Sequence, residues 1–273
     1  MAFLRRPRPV APPGTFDRLE DVRGSIHELY AGLTGPVVKA FGTLPPLPPD
    51  HDPLTGAQRV AATVARHLGI GDARMIVAFS ALGAHYRDDP RDIPAVLAHE
   101  VTHVFLHRKG IRYPDLVRTE ILTDTAALYL GLGRPMLGAY RVEVTQGRYT
   151  RRRTTSRVGY LSPPEMGYVL AKRALAFGEP EKPLAGAAGE AYRTGYRRAL
   201  EDYARPPLSG AGRAARRQYE RDKRAGQATA EYRFDGARVV FACPVCHQGT
   251  RAPTGRALKV RCAVCRSVFD CET

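Results

Sequence analysis

Residues 94–109 form the segment that most constrains what this chain can fold into. Apolar residues recur along it at helical spacing, its proline lies in the first turn and Gly110 follows its end, so the sequence predicts a helix. His99, Glu100 and His103 interrupt the apolar pattern. Because residues four apart project from one helix face, both imidazoles can reach a single metal ion, which removes the cost of burying them without a partner.

A second helix is predicted after a short loop, over residues 116–130, and it ends at Gly131 and Gly133. Helices joined by a short connection usually pack against each other. Glu120 and Asp124 are four residues apart and therefore share a face of this second helix. If that face turns toward the histidines, Glu120 supplies a third metal ligand and Asp124 accepts a hydrogen bond from the far nitrogen of a metal-bound imidazole.

The combination of His-Glu-x-x-His with Glu-x-x-x-Asp on the next helix resembles the gluzincins, the thermolysin-like zinc metallopeptidases. The resemblance covers residues 55–135 and implies a zincin fold. It implies a β-strand before the metal helix, here residues 75–79, whose edge pairs with an extended peptide substrate. It also implies a catalytic zinc ion. By this resemblance Glu100 is the general base, and the three zinc ligands are His99, His103 and Glu120. Asp124 is the carboxylate that orients His99.

Peptide-bond hydrolysis is the chemistry expected of such a site. Zinc with three protein ligands keeps a position for water and lowers the pKa of that water to about 7. Glu100 is then expected to take a proton from the water and to pass it to the leaving amine. By analogy, Tyr160 and Tyr168 are candidate hydrogen-bond donors to the oxyanion, although a core position is an open alternative for either tyrosine.

His107 continues the spacing of the two histidines by four more residues. At a rise of about 1.5 Å per residue it lies roughly 12 Å from His99 along the helix axis, too far to share one ion with both histidines. We therefore expect a structural role for His107. For the motif as a whole, the alternative is a surface helix with ordinary polar residues, or core histidines with satisfied hydrogen bonds.

Two Cys-x-x-Cys pairs lie near the end of the sequence, at a spacing typical of a four-cysteine zinc site. The stretch between the pairs suits a β-hairpin, and residues 238–241 and 267–269 suit further strands, so the segment resembles a zinc ribbon. So small a unit is expected to need its structural zinc ion. A redox-active pair is the alternative, but no βαβ pattern surrounds either pair. The four ligands are Cys243, Cys246, Cys262 and Cys265, and the role of Cys271 stays open.

The rest of the pattern is mainly helical. We predict an α+β chain, with a mainly helical zincin-like metallopeptidase domain that contains a small sheet, followed by a small β zinc ribbon. Further helices are predicted over residues 17–41, 55–69, 163–177, 190–203 and 213–224. We predict a disordered Pro/Arg-rich tail over residues 1–14 and the metallopeptidase domain over residues 15–204. A basic helical connector is predicted over residues 205–230 and the ribbon over residues 231–273.

Positive charge dominates the chain, with 42 Lys and Arg against 27 Asp and Glu and a formal net charge of +15. Such a field attracts polyanions, so nucleic acid, an anionic membrane face or an acidic protein surface is an expected partner, beside a protein or peptide substrate. A base composition that favours Arg and Pro codons is the alternative explanation. We find no secretory signal and no membrane-spanning run, and we therefore expect a cytoplasmic protein in reducing surroundings.

The predicted function is that of a zinc peptidase recruited to its substrate or to nucleic acid by a basic zinc ribbon. The alternative is a nucleic-acid-binding or protein-binding regulator that keeps a zincin fold without turnover. Glu100 favours the enzyme, because a purely structural zinc site needs four ligands and no base. A His-Glu-x-x-His helix followed by a basic zinc module is also similar to Spartan-like proteases, which implies DNA as a partner. Their third ligand, however, is a histidine where this chain offers Glu120.

Overall fold

The computed structural model describes residues 16–44, 53–73, 90–146, 151–179 and 184–273. Across these residues, packed helices with one antiparallel strand pair among them precede two small antiparallel sheets, and the predicted α+β class is confirmed. The predicted tail 1–14 and the predicted strand 75–79 lie outside the described residues. In the part of the chain that is described, no helix is both long enough and apolar enough to span a membrane.

Helices make up most of the described chain. They are α1 Leu19–Leu33, α2 Gly35–Ala40, α3 Pro53–His67, α4 Ile93–Arg108, α5 Leu116–Ala127, α6 Gly133–Gly138, α7 Pro163–Phe177, α8 Gly186–Tyr203 and α9 Arg213–Ala225. A short 3-10 helix, Pro90–Asp92, leads into α4, and a π-helical turn, Leu128–Leu132, joins α5 to α6. The strands are β1 Arg141–Gln146, β2 Arg151–Ser156, β3 Tyr232–Asp235, β4 Arg238–Ala242, β5 Gly249–Pro253, β6 Ala257–Arg261 and β7 Val268–Glu272.

Helices α4 and α5 lie inside the helical group, because most of their faces are apolar. They pack against each other, α3 and α6 cover α4, and α1 and α7 cover α5. Ala98 and Phe105 of α4 and Leu122 and Ala126 of α5 are fully buried. The two helices are therefore held on several sides, and the polar side chains between them have fixed positions.

The helix ends follow the local signals of the sequence. Asp115 caps α5 by accepting a hydrogen bond from the amide of Arg118 at 2.8 Å. Ser162 and Glu165 form a capping box at the start of α7, and Gly178 ends that helix in a left-handed conformation. The predicted helix 17–41 is corrected in one respect, since Thr34, with a φ of 65°, separates α1 from α2.

Helix α5, which is predicted to run to residue 130, ends at Ala127, where the π-helical turn begins. Gly131 has a φ of 99° there, and a Cβ atom at this position would lie 1.9 Å from the carbonyl oxygen of Gly42. The carbonyls that the turn frees find partners in other elements. Tyr129 O, Leu130 O and Gly131 O accept hydrogen bonds from Arg173 Nη1, His67 Nε2 and Leu44 N, respectively.

Strands β1 and β2 form an antiparallel hairpin in which Arg141 pairs with Ser156 and Gln146 with Arg151. The sequence does not predict this hairpin, because the segment is polar and rich in arginine and only Val142 and Val144 of β1 alternate with polar residues. Strand β1 packs against α8.

The cysteine pairs lie in two hairpins, each built around one pair. Strands β4 and β5 flank the first pair and β6 and β7 the second, while β3 adds an edge to the first hairpin. The prediction of one hairpin between the pairs is therefore wrong. The reason is that each Cys-x-x-Cys turn reverses the chain, so that the strands on its two sides become neighbours.

Helix α9 packs onto these hairpins and does not stand free. Tyr219 is fully buried, and Asp222 accepts a hydrogen bond from the hydroxyl of Tyr232 at 2.8 Å. Cys271 is also buried here, and burial raises the pKa of its thiol to about 11, which makes it a core residue and a poor nucleophile. This second core consists of Leu208, Tyr219, Tyr232, Val239, Phe241, Ala252, Val260 and Cys271.

Candidate metal centres

Helices α4 and α5 bring His99, His103 and Glu120 to one point. His99 Nε2 and His103 Nε2 are 3.1 Å apart, and each lies 3.1 Å from Glu120 Oε2. The three side chains, which we call the triad, lie at the edge of the core. The exposed fractions of these side chains are 9% for His99, 27% for His103 and 15% for Glu120. The triad could hold a metal ion and is partly exposed to solvent.

Asp124 fixes the ring of His99. Its Oδ1 lies 2.7 Å from His99 Nδ1, and its Oδ2 accepts hydrogen bonds from the amides of Tyr160 and Leu161 at 2.5 and 3.0 Å. Gly159 lets the backbone approach this closely, because its φ is +90° and a Cβ atom there would lie 2.5 Å from Oδ1. A buried carboxylate with these partners keeps the proton on Nδ1 and leaves Nε2 of His99 for a metal.

Thr123 contacts the other histidine, and sequence reasoning missed it. Its Oγ1 lies 3.1 Å from His103 Nδ1 and 2.9 Å from the carbonyl oxygen of Thr119. Thr123 is three residues after Glu120, which places both on one face of α5. That helical spacing is the signal in the sequence, but Thr123 belongs to neither motif and carries no charge that marks it as a partner of a histidine.

Electrostatics couple the triad tightly. Burial alone would lower the pKa of His99, but hydrogen bonds to Asp124 and Glu120 raise it to about 10. Burial favours the neutral form of Glu120, but hydrogen bonds with His103 and His99 lower its pKa to about 2. A positive charge is thus stabilised between the carboxylates, and this is the place that a cation would take.

Glu100 lies beside the triad and is half-buried. Its negative charge acts on His99 and favours the protonated imidazole. Over the described ranges of the chain, its carboxylate makes no hydrogen bond or ion pair. The side chain predicted to be the general base is therefore next to the triad and available for proton transfer.

The two candidate tyrosines have different positions. Tyr160 is half-buried and reaches the site through its backbone amide, which donates to Asp124, and its role as an oxyanion donor stays a prediction. Tyr168 is fully buried and its hydroxyl donates to Asp202 at 2.5 Å. That arrangement leaves Tyr168 without access to a substrate, so a core position describes it. His107, for which we expected a structural role, is exposed near the end of α4.

The four paired cysteines form the second group that could hold a metal ion. Cys243 Sγ lies 3.6 Å from Cys265 Sγ, and Cys246 Sγ lies 3.5 Å from Cys262 Sγ, all as free thiols. The two turns repeat one pattern. The amides of Cys243 and Cys262 donate to the carbonyls of Gln248 and Ser267, and His247 and Arg266 adopt left-handed conformations at equivalent positions.

The cysteine turns pack directly against the helices. The fully buried ammonium of Lys172 on α7 donates to the carbonyl oxygen of Pro244 and to Asp202 Oδ2. Asp202 also accepts a hydrogen bond from Arg23 at 2.5 Å. Burial alone would raise the pKa of Asp202, but Lys172 and Arg23 hold it below its usual range. On the other side, a Cβ atom on Gly35 would lie 3.1 Å from the carbonyl oxygen of Cys265.

Cys243, Cys246 and Cys262 accordingly belong to the same hydrophobic cluster as the helices. The domain boundaries predicted near residues 204 and 230 stay a prediction.

In comparisons with family models, with curated proteins and with solved structures, nothing matched the chain.

Proposed function

We propose that the protein is a zinc metallopeptidase with a zincin-like helical domain, whose catalytic zinc ion is held by His99, His103 and Glu120. The mutual separation of their donor atoms, 3.1 Å in each case, is the observation that supports it best. Ligands at about 2.0–2.2 Å from a tetrahedral zinc ion are about 3.3–3.6 Å apart, so a small outward shift of the three donor atoms would fit the ion. The donor set of two imidazoles and one carboxylate is also one that zinc prefers.

Bound by three protein ligands, zinc supplies an open position at which a water is activated as the nucleophile. Glu100 accepts the proton of the attacking water and returns it to the leaving amine, since its carboxylate lies beside the triad and is free of hydrogen bonds from the described residues. Asp124 and Thr123 hold the two imidazoles in the orientation that presents Nε2 to the metal.

The four cysteines hold a second, structural zinc ion in this proposal. Thiolates at about 2.3 Å from a tetrahedral zinc ion are about 3.8 Å apart, close to the observed 3.6 and 3.5 Å. Four protein ligands leave no position for a substrate, and three of the four cysteines are buried. In this proposal the zinc ion at the cysteines stabilises the fold, and the zinc ion at the triad takes part in hydrolysis.

Recruitment by a polyanion is part of the proposal, through the exposed arginines of the C-terminal sheets. The register of the first sheet places Arg233, Val240 and Arg251 in one row across its outer face, with the exposed Arg238 nearby. Salt-dependent binding of a DNA duplex that weakens when these arginines are replaced would support this part.

Hydrolysis by wild-type protein and by Glu100→Gln tests the proposal. The purified chain should contain two zinc ions, and a mixture of unstructured peptides, followed by mass spectrometry, should be cleaved. Glu100→Gln should keep both ions and lose activity by roughly 10²–10⁴-fold, because it removes the base and no ligand. Equal cleavage by the two proteins contradicts the peptidase. A wild-type protein that binds both ions and cleaves nothing favours the non-catalytic regulator.

A further inference from the structure

We propose that Thr123 is a positioning residue, which fixes the imidazole of His103 so that its Nε2 can bind the metal. The inference rests on the proposed function only in that it concerns the same metal ligands. Thr123 Oγ1 lies 3.1 Å from His103 Nδ1, which is within hydrogen-bond distance. The His-Glu-x-x-His and Glu-x-x-x-Asp motifs do not contain this residue.

The direction of the hydrogen bond follows from counting protons. The hydroxyl of Thr123 has one proton, and the carbonyl oxygen of Thr119, at 2.9 Å, can only accept. Both contacts are hydrogen bonds only if Thr123 donates to Thr119 and accepts from the Nδ1 proton of His103. With its proton on Nδ1, the neutral imidazole has a lone pair on Nε2, which is the nitrogen that faces the triad.

The position of Thr123 is fixed by its surroundings. Its side chain is fully buried, and its hydroxyl is tied to the helix four residues before it. Glu120, Thr123 and Asp124 share one face of α5. A single helix thus supplies the third ligand and the hydrogen-bond acceptors for both histidines, so their geometry depends on one rigid element.

The two acceptors differ in strength. Asp124 offers His99 an ionised carboxylate that two backbone amides hold in place, whereas Thr123 offers His103 a neutral hydroxyl. We therefore expect a smaller loss of metal affinity on removing Thr123 than on removing Asp124.

The test compares Thr123→Val with Thr125→Val in the full chain. Valine keeps the shape of threonine and removes the acceptor, so the Nδ1 proton of His103 loses its partner. Thr125 is the matched control, because it is fully buried on the same helix and its hydroxyl makes no hydrogen bond among the described residues. Zinc affinity of the triad is measured by competition with a chelator, with Glu120→Gln defining the signal of the cysteine site alone.

Thr123→Val should weaken zinc binding at the triad by roughly 10-fold, at the lower end of the effect of residues that hydrogen-bond metal ligands. Thr123→Ser, which restores the hydroxyl, should return to within about 3-fold of wild type, and Thr125→Val should not change the affinity. If Thr123→Val is not folded, Thr123→Ala takes its place, with the same expectation. Nitrogen NMR shifts of the His103 ring should show Nδ1 protonated in the zinc-bound wild type.

Wild-type affinity in Thr123→Val overturns the inference, as do equal losses in the valine and serine variants, which would indicate a packing role. So does an unprotonated Nδ1 on His103. The measurements need no substrate. If zinc binding responds as expected and no peptide is cleaved by the wild type, the role of Thr123 stands and the peptidase function fails.

Discussion

The two candidate metal-binding groups are built in opposite ways. The triad joins side chains of two long helices that are already packed on several sides, whereas the cysteines lie in short turns between strands of five residues or fewer. Polar side chains orient the ligands of the triad, and backbone amides shape the cysteine turns. We therefore propose that the packed helices would position a metal ion at the triad, whereas a metal ion held by the cysteines would stabilise the fold.

The largest expected effect is the loss of the cysteine site. Cys246→Ser should lose one zinc ion and lower the melting temperature of the helical signal, because the cysteines share a core with the helices. The loss of stability should exceed the roughly 3–5 kcal/mol of a broken buried ion pair. Cys271→Ser is the control, since this cysteine is buried outside the group, and about 1 kcal/mol is expected. Circular dichroism and metal analysis check both, and unchanged melting of Cys246→Ser would break the comparison.

A second variant tests the contact between cysteine turn and helices without touching a ligand. Lys172→Met removes a buried ammonium and leaves Asp202 and the Pro244 carbonyl short of a partner. It should destabilise the chain by about 3–5 kcal/mol in denaturant unfolding. Lys259→Met, at an ion pair whose side chains are 76% and 67% exposed, should change stability by less than about 1 kcal/mol. Similar losses in the two variants would show that this contact does not stabilise the chain.

The smallest effect on stability is expected at the triad. Glu120→Gln should reduce the bound zinc from two ions to one, because it removes an anionic ligand. In the presence of a chelator that empties only the triad, its free energy of unfolding should stay within about 1 kcal/mol of wild type, since α4 and α5 keep their packing. A collapse of the helices in this variant would mean that the first metal, too, holds the fold together.

Local signals were enough to predict the helices of the triad. Residues 94–109 carry an apolar stripe between a proline and a glycine, and the observed helix, Ile93–Arg108, differs by one residue at each end. The close approach of His99, His103 and Glu120 follows from helical spacing and from one short loop. These features depend on neighbours along the chain, which a sequence shows directly.

Contacts between distant residues could not be predicted in the same way. Lys172 and Pro244 are far apart in sequence, and neither segment contains a pattern that identifies the other as its contact. A lysine on the apolar side of α7, three residues after the buried Val169, was a signal that a partner was needed, but not which one. The pairing of the C-terminal strands has a local cause, the reversal of the chain at each Cys-x-x-Cys turn, but the spacing of the cysteines alone does not show which strands become neighbours.

Helix α7 links the surroundings of the two candidate metal-binding groups. The amides that hold Asp124 directly precede its cap Ser162, and Lys172 contacts the first cysteine turn from the same helix ten residues later, a span of about 15 Å. An α-helix is stiff over that length, so we expect a displacement of the cysteine turn to move the amides that hold Asp124, and through them the ring of His99. Damage at the C-terminal cysteines should therefore alter the geometry of the distant histidine before the chain unfolds.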